Sequence, residues 1–148
     1  VCGPVEGEKD FYDFYKKELY ETPNIRFVGR LDVRGEKFRE IVDNAVGLVY
    51  PSVSEGQAGS VIVGLHAGLI PLATYQSGVD VGPFGIPLTA ISIEEIEKAI
   101  KMVSSMEEDE LKQRAIAAWK YANENHTTEI FRKKYATFID NIITENNL

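Results

Sequence analysis

Apolar residues along this chain change period several times, and each change marks an element. Phe11, Phe14, Tyr15 and Leu19 recur at helical spacing, which predicts an amphipathic helix over Lys9–Glu21 that Pro23 stops. A short strand is expected over 25–29. The next helix has Phe38, Ile41, Val42 and Ala45 as its apolar side and is expected to end at Gly47. Leu48, Val49 and Tyr50 follow without polar alternation, the pattern of a strand buried on both faces in a parallel sheet. A loop over 51–59 opens onto a helix over 60–67, which Gly68 terminates before an apolar strand, Ile70–Thr74. The Gly/Pro-rich segment 77–83 leads to a small strand, Ile86–Leu88.

The C-terminal third is helical by pattern. Ser92 with Glu95, and Ser105 with Glu108, read as two capping boxes. They are expected to open helices with core stripes Ile93, Ile96, Ile100, Val103 and Leu111, Ala115, Trp119, Ala122. Thr127 or Thr128 caps a last helix with an inner face of Phe131, Tyr135, Phe138 and Ile142. Strands alternating with helices predict an α/β fold, Rossmann-like, with a mostly parallel sheet and helices on both faces. In such sheets ligands bind beyond the C-terminal strand ends, which directs attention to the loops 29–34 and 51–59.

Composition narrows the function classes. With 148 residues there is room for one domain with a sizeable core. A formal charge of −7 repels phosphate backbones, so nucleic acid is not an expected partner. Cys2 is the single cysteine, which rules out an intrachain disulfide or a thiolate cluster and fits a reducing cytoplasm. The longest apolar stretch, 60–75, is broken by His66, two glycines and Pro71, too short and interrupted to span a bilayer. Val1 to Pro4 read as the end of a strand and its exit turn, so the chain is expected to be cut from a larger two-domain protein.

The segment Tyr50-Pro51-Ser52-Val53-Ser54-Glu55-Gly56-Gln57-Ala58-Gly59-Ser60 holds the densest chemistry. It leaves a buried strand, offers a carboxylate suited to sugar hydroxyls, and passes through two glycines that let backbone approach a ligand. It then enters a helix N-terminus, whose unpaired amides suit a diphosphate. The plainer alternative makes Ser54 or Glu55 a helix cap.

Val49-Tyr50-Pro51-Ser52, the Ser54-Glu55-Gly56 step, Gly59 and the apolar helix ending at Gly68 resemble the group 1 retaining glycosyltransferases of GT-B fold. Asn24 to Gly29 resemble that family's preceding strand, and Gly85 to Leu88 its last strand, so the likeness covers nearly the whole chain. It implies the C-terminal, donor-binding domain of an enzyme moving a sugar from a nucleotide diphosphate sugar to a glycan, lipid or small-molecule acceptor. The acceptor would be held by an N-terminal domain, and the donor domain's first strand would lie before Val1. Glu55 would contact donor-sugar hydroxyls. Ser52, Gly56 and the main-chain amides of Gln57, Ala58, Gly59 and Ser60 would hold the donor, and backbone at Gly29 and Arg30 would flank the base. The family needs no metal and no cofactor. The resemblance also implies a cytoplasmic enzyme, with peripheral contact at the inner membrane face.

Three departures stand out. The family's second glutamate, which holds the ribose eight positions after the first, is replaced by Val63. Gly64 replaces the alanine that usually follows it, and the turn 68–71 carries one extra residue. A domain of the same fold that has lost catalysis, a nucleotide-sugar binding or scaffold module, is therefore the second reading.

Other candidates are plainer. Arg30, Arg34 and Lys37 read as a solvated loop more than a phosphate clamp, and His66 as a packed or surface histidine. His126 has no metal-ligand partner at usable spacing. Arg132, Lys133 and Lys134 read as the exposed face of the last helix, with a partner domain or an anionic membrane as the alternative contact. Asp80 reads as a turn residue that could border the donor site.

Overall fold

The computed structural model describes residues 1–5 and 7–145. They form two compact units, 1–44 and 45 onward. No helix among the described residues is long and apolar enough to cross a membrane.

The first unit contains α1 (Lys9–Glu21) and α2 (Glu36–Asp43). Helix α1 has the predicted bounds, but of its apolar side only Leu19 is buried; Phe11, Phe14 and Tyr15 remain 42–76% exposed and pack mainly on one another. The strand expected over 25–29 does not form. Only a single parallel bridge joins Cys2 to Gly29, flanked by the Val28 amide donating to the Val1 carbonyl and the Gly3 amide donating to the Gly29 carbonyl. A strand needs a ladder of such pairs, and three residues on one side do not supply it.

The second unit is an open α/β arrangement. Its strands β1 (Gly47–Tyr50), β2 (Ile70–Thr74) and β3 (Ile86–Leu88) lie in sequence order and are all parallel. Helices α3 (Gly59–His66) and α5 (Glu108–Asn125) pack on one face of the sheet, and α4 (Ile93–Ser104) packs on the other. Strand β2 is central and buried at every residue, as its unbroken apolar run predicts. Strand β1 is an edge, and Val49 on it stays 38% exposed.

Two clusters hold the layers together. Val61, Leu65, Phe84, Ala118 and Ala122 fill the α3/α5 side, and Ile70, Leu72, Leu88, Ala99 and Val103 fill the α4 side. Small residues decide the first cluster: Ala118 and Ala122 are fully buried where α5 meets α3, while Trp119, expected in the core, is half exposed. On α4, Ile93 and Ile100 of the expected stripe face solvent, and Ala99 lies inside with Val103.

Helix ends explain most boundaries. Gly68 takes a φ of 75°, and its amide donates to the Leu65 carbonyl while the Leu69 amide reaches back to Gly64. That is a Schellman stop, which returns the chain directly into β2. Ser92 caps α4 through its side chain, accepting from the Glu95 amide at 3.1 Å. Thr127 caps α6 (Thr128–Glu145) in the same way through the Ile130 amide.

Two expected ends differ. Ser105 is not a helix start: α4 runs to Ser104, the Ser105 hydroxyl donates to the Met102 carbonyl, and α5 begins at Glu108. Gly47 does not end a helix, because α2 stops at Asp43 and Gly47 opens β1. A side chain at Gly47 would meet the Ile70 carbonyl oxygen at 2.8 Å, so its glycine serves strand contact.

Candidate functional site

The parallel sheet sends all three strands the same way, so the segments after Tyr50, Thr74 and Leu88 emerge at one edge. The Thr74 hydroxyl donates to the Ser52 carbonyl at 2.6 Å, tying the exit of β2 to that of β1. Ser52 is half-buried, while Val53 to Gln57 are exposed.

Glu55 is held from below. The Tyr50 hydroxyl donates to Glu55 Oε1 at 2.8 Å, across five residues of the loop. This hydrogen bond, with partial burial and the negative charge of Glu55, raises the Tyr50 pKa above its ordinary value. Among the described residues no other group is bonded to the Glu55 carboxylate, which leaves Oε2 available. Neither Glu55 nor Ser54 caps α3: the cap position is Ala58, with no side-chain hydrogen bond. The capping alternative is thereby removed.

The glycines separate into two kinds. A side-chain carbon at Gly56 or Gly59 would meet nothing within 4 Å, and neither has a positive φ. The fold makes no demand for glycine there, and both face open space. Gly78 is the opposite case. Its φ is +67°, and a side-chain carbon there would overlap the Gly56 carbonyl oxygen and lie 3.2 Å from Gln57 Cα. The 3₁₀ turn Tyr75–Ser77 and Gly78 thus brace the Glu55 loop from behind. The Ala58 amide belongs to this brace, donating to the Ser77 carbonyl at 2.8 Å. Helix geometry then leaves the amides of Gly59 and Ser60 as the first-turn donors without an intrahelical acceptor.

A cleft of about 510 Å³ opens beside this loop, lined by Glu55, Tyr75, Gln76, Gly78, Val79 and Asp80. A second hollow of about 390 Å³ shares Tyr75, Gln76, Val79 and Asp80 and extends over the ends of β2 and β3 to Thr89. Two carboxylates, an amide and three hydroxyls line these spaces, with no lysine, arginine or histidine. Such a set suits a neutral polyhydroxyl ligand better than a bare phosphate. Asp80 is the turn residue that the sequence suggested, its Oδ1 accepting from the Gly82 amide at 2.8 Å, and it also lines the cleft. Tyr75, 91% exposed, and Gln76 were missed by sequence reasoning. The available signal was position: polar residues directly after an apolar strand, at the edge where its carbonyls end.

The remaining candidates do not line these hollows. Gly29, at a φ of 77°, and Arg30 belong to the first unit, where Arg30, Arg34 and Lys37 are exposed. Val63 is half-buried on α3, four residues from Gly59 and so on the same face. Gly64 sits against β1, where a side-chain carbon would come within 2.9 Å of Leu48 Cδ2.

His66 is structural, its Nε2 donating to the His126 carbonyl at 3.1 Å. His126 Nε2 is buried without a partner among the described residues. Burial, then the charges of Lys134 and His66, lower the His126 pKa below its ordinary value near 6.5. The folded protein therefore binds this proton less readily than the unfolded chain. The associated stability is complete above pH 6.5 and is lost as pH falls through 6.5 toward the lower native value. The melting temperature is expected to drop between pH 7.5 and 5.5, and thermal melts of His126→Gln should show a shallower dependence.

No protein-family model matches the chain, and comparison with curated proteins finds no match.

Proposed function

We propose that this chain is the donor-binding half of a GT-B glycosyltransferase that transfers a sugar from a nucleotide diphosphate sugar with retention. The single observation that carries this reading is the placement of Glu55. It stands on an exposed loop at the C-terminal edge of a parallel sheet, with one oxygen fixed by Tyr50 and a 510 Å³ cleft beside it. Gly56 and Gly59, which the fold itself does not require, leave the backbone open to a ligand there.

In this reading Glu55 and Asp80 accept hydrogen bonds from donor-sugar hydroxyls. The Gly59 and Ser60 amides at the start of α3 face the leaving diphosphate and stabilise the charge that develops on it. The activity would be cytoplasmic, with any membrane contact peripheral.

A second reading, a sugar-nucleotide binding or scaffold module without catalysis, is favoured by one feature. Neither hollow at the strand ends is lined by a basic side chain, and Val63 offers the ribose no carboxylate. Calorimetry with UDP, GDP and their sugars tests both. The transferase reading expects one nucleotide sugar to bind more tightly than its free nucleotide, and Val63→Glu to tighten nucleotide binding further. If wild type and Val63→Glu both bind no nucleotide or nucleotide sugar, donor binding is refuted.

A further inference from the structure

A separate cavity of about 580 Å³ lies beside the start of α6, and it shares no residue with the two hollows at the strand ends. Gln57 and Ile62 form one side, and the turn after α5 with the first two turns of α6 forms the other. Its chemistry is the reverse of the Glu55 cleft. No carboxylate lines it, and its one permanently charged group is the Lys134 ammonium. Among the described residues Lys134 has no ion-pair partner, although the chain carries a formal charge of −7. An unpaired cation in a hollow free of acids marks a place where an anion gains charge complementarity.

Two aromatic rings complete the wall. Phe131 and Tyr135, one helical turn apart, stack at 5.7 Å with an interplanar angle of 15°. They stay 66% and 55% exposed, and no residue of α6 is buried. These rings thus contribute little to the core and present flat apolar surface to the cavity. Lys134 is three residues from Phe131, so this cation and ring share one patch of helix surface, and both line the cavity with Tyr135. Gln57 adds an amide, and so does Asn125, whose Nδ2 donates to the Tyr121 carbonyl.

We propose that this cavity binds a small ligand combining a planar ring with one anionic group, of the nucleoside monophosphate class. The base stacks on the Phe131/Tyr135 surface, an interaction that tolerates any base because every base has a flat face. The phosphate pairs with Lys134, and the Gln57 and Asn125 amides meet the polar edge of the base or the sugar hydroxyls. This site is independent of the Glu55 cleft and stands whether or not that cleft binds a sugar donor.

The test is titration of the protein with adenosine 5′-monophosphate, adenosine and inorganic phosphate, followed by calorimetry or ligand-observed NMR. The monophosphate is expected to bind at least about tenfold more tightly than adenosine or phosphate alone. Phe131→Leu and Lys134→Gln should each weaken it by about tenfold or more, with melting temperature unchanged because both side chains are exposed. Absence of monophosphate binding at millimolar concentration overturns the proposal. So does phosphate binding as tightly as the monophosphate, since the rings would then contribute nothing. Binding that survives both substitutions overturns it too, because the ligand would then sit elsewhere.

Discussion

Gly78→Ala is expected to lower the melting temperature by about 10 °C or more, the largest stability loss of any single methyl added at the strand ends. Two costs combine. A φ of +67° is left-handed, and an L-residue held there costs about 1–3 kcal/mol. The new carbon also overlaps the Gly56 carbonyl oxygen and crowds Gln57 Cα, both main-chain atoms that cannot rotate away, for a further 1–3 kcal/mol or so. At about 3–5 °C per kcal/mol for a domain of this size, the sum reaches the stated drop. The control is Gly56→Ala, where nothing lies within 4 Å and φ is not positive, and where stability should stay within about 0.5 kcal/mol of wild type. Equal melting temperatures for the two variants would show that the turn after β2 does not brace the Glu55 loop. The effect should also spread to function, because displacing Gly56 moves the start of α3 through the Ala58–Ser77 hydrogen bond.

Much of this architecture was legible because its signals are local. The Lys9–Glu21 and Ile70–Thr74 boundaries follow from periodicity ended by proline or glycine, and Gly68 stops α3 through hydrogen bonds within six residues. Ser92 caps α4 as its spacing to Glu95 suggests. Even there only half the capping box forms, since the Glu95 carboxylate turns instead to the amides of Thr89 and Ala90. What failed depends on partners distant in sequence. Gly47 resembles a helix terminator, yet its reason is the Ile70 carbonyl across the sheet. Trp119 and Ile100 continue helical stripes, but α5 and α4 turn the faces bearing Ala118 and Ala99 inward. Phe131, Tyr135, Phe138 and Ile142 keep perfect helical spacing on a helix that buries none of them. Periodicity identifies the face a helix would bury and says nothing of what is present to cover it.

The candidate site was legible in its acid and its glycines, and illegible in its support. Glu55 stood out as a carboxylate between an apolar strand and a glycine-flanked helix. The Tyr50 hydroxyl beneath it did not, because Tyr50 reads simply as the last apolar residue of its strand. Asp80 was visible only as a turn former, which it also is. Tyr75 and Gln76 enter the site because the parallel register brings the ends of β1 and β2 side by side, information no single segment carries.

In the two-domain enzyme that the transferase reading implies, replacing Glu55 by Gln is expected to reduce donor-dependent turnover by about ten- to a hundredfold, with the melting temperature unchanged. The size keeps the Tyr50 contact possible while the charge is lost, and a hydrogen bond to a charged group is worth about 1.5–3 kcal/mol. Stability should not move, because Glu55 is exposed and does not cap α3. Tyr50→Phe isolates positioning from contact. It leaves the carboxylate charged but unheld, and because Tyr50 acts only by positioning the acid, turnover should fall less than in Glu55→Gln, by about two- to tenfold. The two changes act on one interaction, so the double variant should be no slower than Glu55→Gln alone. Fully multiplicative losses would mean that Tyr50 acts apart from Glu55. A Glu55→Gln protein with undiminished turnover would remove the acid from the donor site and, with it, the observation on which the transferase reading rests.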